Sequence, residues 1–176
     1  SGEIAMLIAR PDALMSFNWE VALPSVNAAR EYNLGSEYVE TCSISLPDYG
    51  IRQVREFGRM MSYPEASPTI NTLQLQFYGD VQNTAMAYLN AWRTLIHPVT
   101  GAFGTPNKPK TSSVDGYKKD IILYSKDAYN EKVFSITYKG CWPTAIEGST
   151  YFNSDNDRIS FIVTFAVDDV IVSGYN

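Results

Sequence analysis

Apolar residues alternate with small or polar ones along several stretches of the chain, and this pattern constrains the fold more than any other feature. The strongest instance lies near the C-terminus, where every second position is apolar: Ile159, Phe161, Val163, Phe165 and Val167. The positions between them are small or polar, with Ile162 as the exception. Successive side chains of a β-strand point to opposite faces of a sheet. A period of two therefore predicts a strand with one buried face.

The same period recurs often enough to predict about seven antiparallel strands. Further strands are expected at residues 14–24, 37–46, 51–61, 69–78, 117–126 and 132–141, with an irregular continuation at 144–152 after a break at Trp142 and Pro143. Residues 47–50 (PDYG) have the composition of a turn. This turn predicts a hairpin between the strands at 37–46 and 51–61.

After the strand at 69–78, the apolar period changes to three and four residues. Asp80 is a suitable N-cap, Ala85 and Trp92 lie on one helical stripe with Val81, and Pro98 ends the pattern. These signals predict one amphipathic helix over residues 81–96. The stretch that follows, 98–116, is rich in Gly, Pro, Thr and Ser. We expect a long loop there that a partner orders.

Length and composition favour a single domain. The 176 residues suit one hydrophobic core, and no repeat or shift of composition divides them. We therefore expect one domain over 1–176, with an N-terminal arm at about 1–12 and a protruding hairpin at about 47–68. The predicted fold class is mainly β, an antiparallel sandwich or barrel with one flanking α-helix. Such a sheet has strand edges that a protein must close, cover or use.

Charge and hydropathy exclude several classes of function. The chain has 14 Lys and Arg against 19 Asp and Glu, a net charge of −5, which disfavours specific binding of nucleic acid. No stretch approaches the ~20 apolar residues of a membrane span. The first residues lack the basic and apolar regions of a signal peptide. We expect a soluble, unexported protein without membrane contact.

The sequence contains no set of residues that predicts catalysis. His97 is the only histidine, and we interpret it as a residue at the C-terminal end of the helix. Cys42 and Cys141 lack metal or redox spacing, so we expect buried, reduced thiols. Residues 153–157 (NSDND) lack the Gly and Glu of a calcium loop. We predict that the protein is not an enzyme and uses no cofactor or metal.

Two segments of the chain resemble the tail-tube proteins of contractile-tailed bacteriophages. One is the strand-to-helix segment, LQLQFYGD at 73–80 followed by NTAMAYLNAW at 83–92. The other is the C-terminal block, in which a strand ends near the sequence GCWP, a turn rich in Asp and Asn follows, and the final alternating strand begins. The likeness covers residues 70–97 and 132–170. The hairpin arm and the long loop depart most from the pattern.

This resemblance implies a structural virion protein that forms hexameric rings, stacked into the hollow inner tube of a contractile phage tail. Such a tube is the conduit for genome ejection. The implied partners are further copies of the chain, the tail sheath, the baseplate and the tail terminator. The tape-measure protein and the genomic DNA pass through the lumen without specific binding. The implied location is the virion tail, after assembly in the host cytoplasm.

A barrel built from several chains removes open strand edges and widens as strands are added. The small polar residues of the predicted strands then line a wet lumen, where a negative wall avoids adhesion of DNA phosphates. The predicted lumen-lining residues are Glu37, Thr41, Ser43, Ser45, Ser160 and Thr164. The predicted contacts with other subunits or with the sheath are Arg55, Arg59, Lys108 and Lys110.

Two other functions fit the same pattern. One is the inner tube subunit of a type VI secretion or bacteriocin-like contractile device, which would form the same kind of hollow tube. The sequence does not separate this subunit from that of a phage tube. A monomeric β-barrel that binds a small apolar ligand in its mouth belongs to a different class. The monomeric barrel predicts a permanently small particle, whereas a tube subunit predicts rings or tubes.

Overall fold

The structure is a computed structural model that describes residues 19–43, 46–66, 72–97, 116–148 and 159–174. These ranges contain antiparallel sheets and one α-helix, which confirms the predicted fold class. The strands are β1 (Trp19–Ala22), β2 (Val26–Ala28), β3 (Arg30–Tyr32), β4 (Val39–Cys42), β5 (Ile51–Glu56), β6 (Arg59–Pro64), β7 (Leu73–Tyr78), β8 (Lys119–Lys126), β9 (Lys132–Gly148), β10 (Ser160–Ala166) and β11 (Asp169–Gly174). The helix, α1, spans Thr84–Ile96.

Seven strands form one antiparallel sheet in the order β1-β8-β9-β10-β7-β4, and β11 also pairs with β9. The long strand β9 belongs to both halves of this sheet. Its first part pairs with β8 and β11, and its last part, residues 142–148, pairs with β10. Strands β2 and β3 form a small separate hairpin, and β5 and β6 form another.

The predicted break at Trp142 and Pro143 is wrong, because β9 continues through both residues. Pro143 lies opposite Phe165, where the register between β9 and β10 shifts. Proline has no N–H to donate, and an irregular position of this kind tolerates that loss. Gly140, with a φ of 68°, supplies a left-handed backbone conformation just before this region, which lets the strand change direction.

The core lies between the sheet and α1. Leu73, Leu75 and Phe77 of β7 are buried and the residues between them are not, as the alternation predicts. Strand β10 shows the same burial pattern. Trp92 of α1 is fully buried, and its ring centroid lies 5.4 Å from that of Phe165. Close packing of these large side chains provides the main apolar burial of the fold.

The helix begins at Thr84 rather than at the predicted residue 81. Asn83 occupies the N-cap position with a φ of 54°, and its side chain makes no capping hydrogen bond. The carboxylate of Asp80 instead accepts hydrogen bonds from the backbone N and the Oγ1 of Thr84, at 2.7 and 2.6 Å. Asp80 therefore caps the helix across an intervening turn. Val81, which the apolar stripe included, lies in that turn and is exposed.

The predicted hairpin about residues 47–50 is also wrong. Strand β4 pairs with β7, and the hairpin consists of β5 and β6 joined at Phe57 and Gly58. These two residues have φ values of 49° and 75°. Positive φ at both central residues is the backbone of a two-residue hairpin turn that matches the twist of its strands. Phenylalanine is uncommon in this conformation, so residue type alone did not indicate the turn.

Candidate assembly surfaces

One half of the sheet presents a polar face away from the core. This four-stranded half consists of β4, β7, β10 and residues 142–148 of β9, paired in that order. Thr41, Gln76, Ile162 and Glu147 lie side by side in one row across it. Directly paired residues of antiparallel strands share a face. The four side chains therefore form a continuous strip.

The neighbouring rows of the four-stranded half have a similar composition. Thr164 lies between Gln74 and Ala145, and Ser160 lies opposite Tyr78. Side chains on this face of β7 and β10 are exposed or half-buried, whereas the residues that alternate with them are buried. The four-stranded half thus has one apolar face toward the core and one polar face that the described residues leave uncovered.

Hydrogen bonds hold several side chains of the polar face in place. Thr41 Oγ1 donates to Gln76 Oε1 at 3.3 Å, and Gln76 Nε2 donates to Glu40 Oε2 at 3.1 Å. Within the described part of the chain, the paired positions of this face include no lysine or arginine. Its electrostatic character is therefore neutral to negative.

The sequence-predicted lumen residues of β4 and β10 fall on this polar face. Thr41, Ser160 and Thr164 all belong to it. Ser45 lies outside the described residues. The predicted set does not include Gln76, which also belongs to this face. Only the pairing of β7 with β4 and β10 shows that the glutamine adjoins the predicted hydroxyl groups.

The other two predicted lumen residues flank β4. Ser43 follows the strand, is exposed, and donates its backbone N–H to the carbonyl of Gln74 at 3.1 Å. Glu37 precedes the strand in a single 3-10 turn, Ser36–Tyr38, and is also exposed. Neither side chain belongs to the buried core. Both are accessible at an end of β4.

The four-stranded half has two open edges within the described residues. Strand β4 pairs only with β7, and residues 142–148 of β9 pair only with β10. Because four antiparallel strands are an even number, these two edge strands run in opposite directions. An unpaired strand edge is a template for pairing with another chain.

The hairpin of β5 and β6 exposes several large apolar side chains. Phe57 at its tip is fully exposed, and Ile51 and Met60 are 71% and 58% exposed. Among the described strands, β5 and β6 pair only with each other. An isolated two-stranded hairpin is marginally stable in water. A cluster of exposed apolar residues on such an arm is typical of a surface that another molecule covers.

Two of the four predicted contact residues lie on the hairpin, and the other two lie outside the described residues. Arg55 and Arg59 are exposed on the hairpin, where Arg55 lies opposite Met60 and Arg59 opposite Glu56. Both arginines therefore adjoin the exposed apolar residues of this arm. Lys108 and Lys110 lie outside the described residues.

The described residues hold no group of three or more His, Cys, Asp or Glu side chains placed to bind a metal ion. Cys42 and Cys141 are free thiols, and burial raises the pKa of Cys42 to about 11 and that of Cys141 to about 12. Protonated thiols are poor nucleophiles. His97 is the C-cap of α1, and its backbone N–H donates to the carbonyl of Arg93 at 3.0 Å. Across the described ranges, no helix has the length and apolarity needed to cross a bilayer.

These elements define a fold class, that of the tube-type proteins of contractile injection machines. A chain in the tube-terminating cap of the anti-feeding prophage superposes with a TM-score of 0.68 at 14% identity, over 99% of this chain and 100% of that chain. A chain in the sheath/tube terminator of an extracellular contractile injection system gives 0.64 at 14% identity, over 94% and 100%.

A chain in the six-fold symmetrised baseplate of the anti-feeding prophage gives a TM-score of 0.64 at 13% identity, over 95% of this chain and 98% of that chain. No protein-family model matches the chain, and no curated protein does. The shared property is therefore the fold, over nearly the whole length. It confirms the contractile-tube fold that the resemblance in sequence implied.

Proposed function

We propose that this chain is a structural subunit that assembles into hexameric rings, stacked as the inner tube of a contractile phage tail. The observation that carries the proposal is the four-stranded half, with its polar outer face and two open edges. Unpaired edges are a liability for a subunit that works alone. A closed ring pairs each edge with that of the next copy and leaves none open.

The strand directions permit this ring without rearrangement. Because β4 and the last part of β9 run in opposite directions, rotation about a ring axis brings the β4 of one copy antiparallel to the β9 of its neighbour. The same rotation keeps every polar face on one side. Six copies would close a barrel of about 24 strands, wide enough for an aqueous channel. The six-fold symmetry of the baseplate that contains a chain of this fold supports six copies.

In this ring, the polar face lines the lumen. Thr41, Ser160 and Thr164 supply hydroxyl groups, and Glu147 supplies a carboxylate. Glu37, Ser43 and Ser45 would extend the wall at the two ends of β4. A neutral to negative wall repels phosphate groups, so DNA and a tape-measure protein can pass without specific binding.

The hairpin is the proposed contact between stacked rings. Burial of Ile51, Phe57 and Met60 against the next ring would stabilise stacking by removing their apolar surface from water. Arg55 and Arg59 would add polar contacts at the rim of the same surface. We assign Lys108 and Lys110 to contacts with other subunits or with the sheath. The baseplate and the tail terminator are the proposed partners at the tube ends.

A second assignment, the inner tube of a secretion-type or bacteriocin-like device, has support from the comparisons. The superposed structures come from the anti-feeding prophage and from an extracellular contractile injection system. The same ring would then conduct protein instead of a genome. Neighbouring genes distinguish the two assignments, because only the phage requires capsid and genome-packaging genes beside the tube gene.

Electron microscopy and sedimentation test the assembly. Negative-stain images of the concentrated full-length protein are expected to show rings or tubes with a central hole. Sedimentation velocity is expected to show large species that increase with concentration. A particle that stays monomeric at high concentration would contradict the tube and favour the ligand-binding barrel.

A further inference from the structure

The hairpin of β5 and β6 is a cationic and apolar arm on an acidic protein. Residues 51–64 contain three arginines against one glutamate, whereas the whole chain has a net charge of −5. The three arginines are exposed, and none of the described carboxylates forms an ion pair with them. Complementary charge selects partners and orients them. The hairpin therefore fits a partner surface that is both acidic and apolar.

The tip of the hairpin presents an aromatic side chain on a strained backbone. Phe57 is fully exposed and has a φ of 49°, in the left-handed region that a bulky residue adopts only at a cost in free energy. Asparagine or glycine would form the same turn with less strain. Strained positions cluster at functional sites. The presence of a phenylalanine here therefore indicates a contact of its ring outside the subunit.

The strand directions place the hairpin at one end of the four-stranded half. The chain leaves this half after Cys42 of β4 and re-enters it at Leu73 of β7, and the hairpin lies between these residues in the sequence. At the other end of the same two strands, Val39 pairs with Phe77. The segments that precede β4 and follow β7 therefore lie at the end away from the hairpin connections.

We call this opposite end the far rim, and two short segments form it. They are residues 36–38, which lead into β4, and residues 79–83, which follow β7 and lead into α1. A hydrogen bond joins the two segments, since the hydroxyl of Tyr38 donates to Oδ2 of Asp80 at 3.4 Å. The far rim is therefore one connected surface.

The far rim has the composition that the hairpin fits. Val81 is fully exposed, and Glu37 is an exposed carboxylate. Asp80 adds a second carboxylate, and the two segments contain no lysine or arginine. An exposed apolar side chain beside negative charge complements an exposed phenylalanine beside arginines.

Stacking of rings with one polarity brings these two surfaces together. The hairpin end of each ring then meets the far rim of the next ring, which is a head-to-tail contact that repeats without limit. Each strand of the hairpin has six residues, which span about 20 Å at the usual rise of a β-strand. An arm of this length can cross the junction between two rings.

We propose that the hairpin of each subunit docks on the far rim of a subunit in the next ring. Phe57 packs against Val81, and Arg59, two residues from the tip, binds the carboxylate of Glu37. This inference rests on the tube proposed above, in which the hairpin mediates stacking, and adds the surface that receives the hairpin. It also gives the tube a polarity, because the two surfaces differ.

Charge reversal in the full-length chain tests the ion pair. Arg59→Glu and Glu37→Lys are each expected to weaken stacking by about tenfold or more, while single rings persist. The double variant restores opposite charges and is expected to recover most of the tube length. Glu31→Lys is the matched control, because it makes the same charge change at an exposed position of β3, outside the far rim. Negative-stain images measure tube length, and circular dichroism checks folding.

A mixing experiment tests which surface receives the hairpin. Rings of Phe57→Asp retain an intact far rim, and rings of Val81→Asp retain an intact hairpin, so neither kind is expected to stack alone. A mixture of the two preformed kinds of ring is expected to form pairs of rings but no long tubes. Only one combination of surfaces in that mixture is intact, and a pair of rings leaves no second intact junction.

The outcomes separate this docking from the tube itself. Paired rings in the mixture, and recovery of tubes in the double charge variant, support the docking. Tubes of wild-type length in Val81→Asp overturn it and leave the tube function standing. A mixture without paired rings, or loss of stacking without recovery in a folded double variant, also overturns it. A wild-type chain that forms no rings at any concentration overturns both proposals.

Discussion

The indole Nε1 of Trp92 donates a hydrogen bond to the backbone carbonyl of Tyr117 at 2.7 Å, which ties α1 to the segment leading into β8. The Trp92 ring also lies 5.4 Å from Phe165 and meets Tyr88 edge-on at 6.0 Å. The hydroxyl of Tyr88 in turn donates to the carbonyl of Pro24, ahead of β2. One indole thus joins the helix to β10 and to the approach to β8.

Removal of this indole is expected to be among the most damaging single changes. Trp92→Ala should lower the free energy of unfolding by about 3–5 kcal/mol, because it leaves a cavity and removes the donor to Tyr117. Urea denaturation measures the loss. Tyr129→Ala, at an exposed turn residue, is the control and should change stability by no more than about 0.5 kcal/mol. Equal effects of the two changes would contradict this account of the core.

Acidification is expected to weaken the N-terminal end of α1. Hydrogen bonds from the Thr84 side chain and then the Thr84 backbone lower the pKa of Asp80. A carboxyl whose pKa is lower in the folded state stabilises that state above its unfolded pKa and loses this contribution as the pH falls through the folded pKa. The melting temperature should therefore decline from about pH 3.8 downward, and less steeply in Asp80→Asn. Glu37→Gln, which removes an exposed carboxylate outside α1, is the matched control.

Alkaline pH is expected to lower the stability of the fold through the ionisation of the two thiols. Burial raises the pKa of Cys42 to about 11 and that of Cys141 to about 12, from a usual value of 9.0. Above pH 9.0 the unfolded chain releases these protons while the folded chain retains them, so stability should fall as the pH rises. The double variant Cys42→Ala with Cys141→Ala should flatten this part of the stability profile. Alkylation of the buried Cys141 at pH 8 should also be much slower than in denaturant, and equal rates would count against its burial; Cys42 is half-buried and should react faster than Cys141.

Substitutions in the hairpin are expected to affect the stacking of rings but not the formation of single rings. Phe57→Asp and Met60→Asp should leave the melting temperature of the subunit unchanged, because both side chains are exposed. They should shorten or abolish tubes in negative stain while single rings persist, since the apolar contact between rings is lost. Tyr129→Asp, at another exposed aromatic, is the matched control. Tubes of wild-type length in the hairpin variants would show that the stacking contact lies elsewhere.

The lumen assignment predicts a difference in access to reagents of different size. Thr164→Cys, on the polar face, should react with a small maleimide in both free subunits and assembled tubes. A maleimide carried on a large protein should label it only in free subunits, because the lumen excludes the carrier. Asn90→Cys, at an exposed position of α1, should react with both reagents in both states, and a Cys42→Ala background removes the half-buried native thiol. Labelling of residue 164 in tubes by the large reagent would place the polar face outside.

Alternation predicted the faces of strands far better than it predicted their partners. The buried sides of β7 and β10 followed from period two because that period directly reports which side chains share a face. The pairing of β4 with β7 did not follow, because the turn composition of residues 47–50 favoured the next strand in the sequence as the partner. Strand β11 was missed because its consecutive Val170, Ile171 and Val172 do not alternate. They are consistent with an edge strand only once β9 is in place.

The residues of the candidate surfaces also fall into two groups, those that the sequence indicates and those that only the structure shows. Thr41 and Thr164 could be identified from the second face of their strands alone. Gln76 and Glu147 join them only through cross-strand pairing over long sequence distances. Arg93 carried no signal at all, because a single arginine on a helix is ordinarily a solvated residue. Its position beside an open strand edge is a property of the folded chain.

Strand β9 runs for 17 residues through both halves of the sheet. Its backbone therefore links the four-stranded half, which has the polar face, covalently to the half formed with β8 and β11. Force applied to either half would pass along peptide bonds and not through side-chain packing alone. Such a subunit resists shear between its halves and yields, when it yields, as a single mechanical unit.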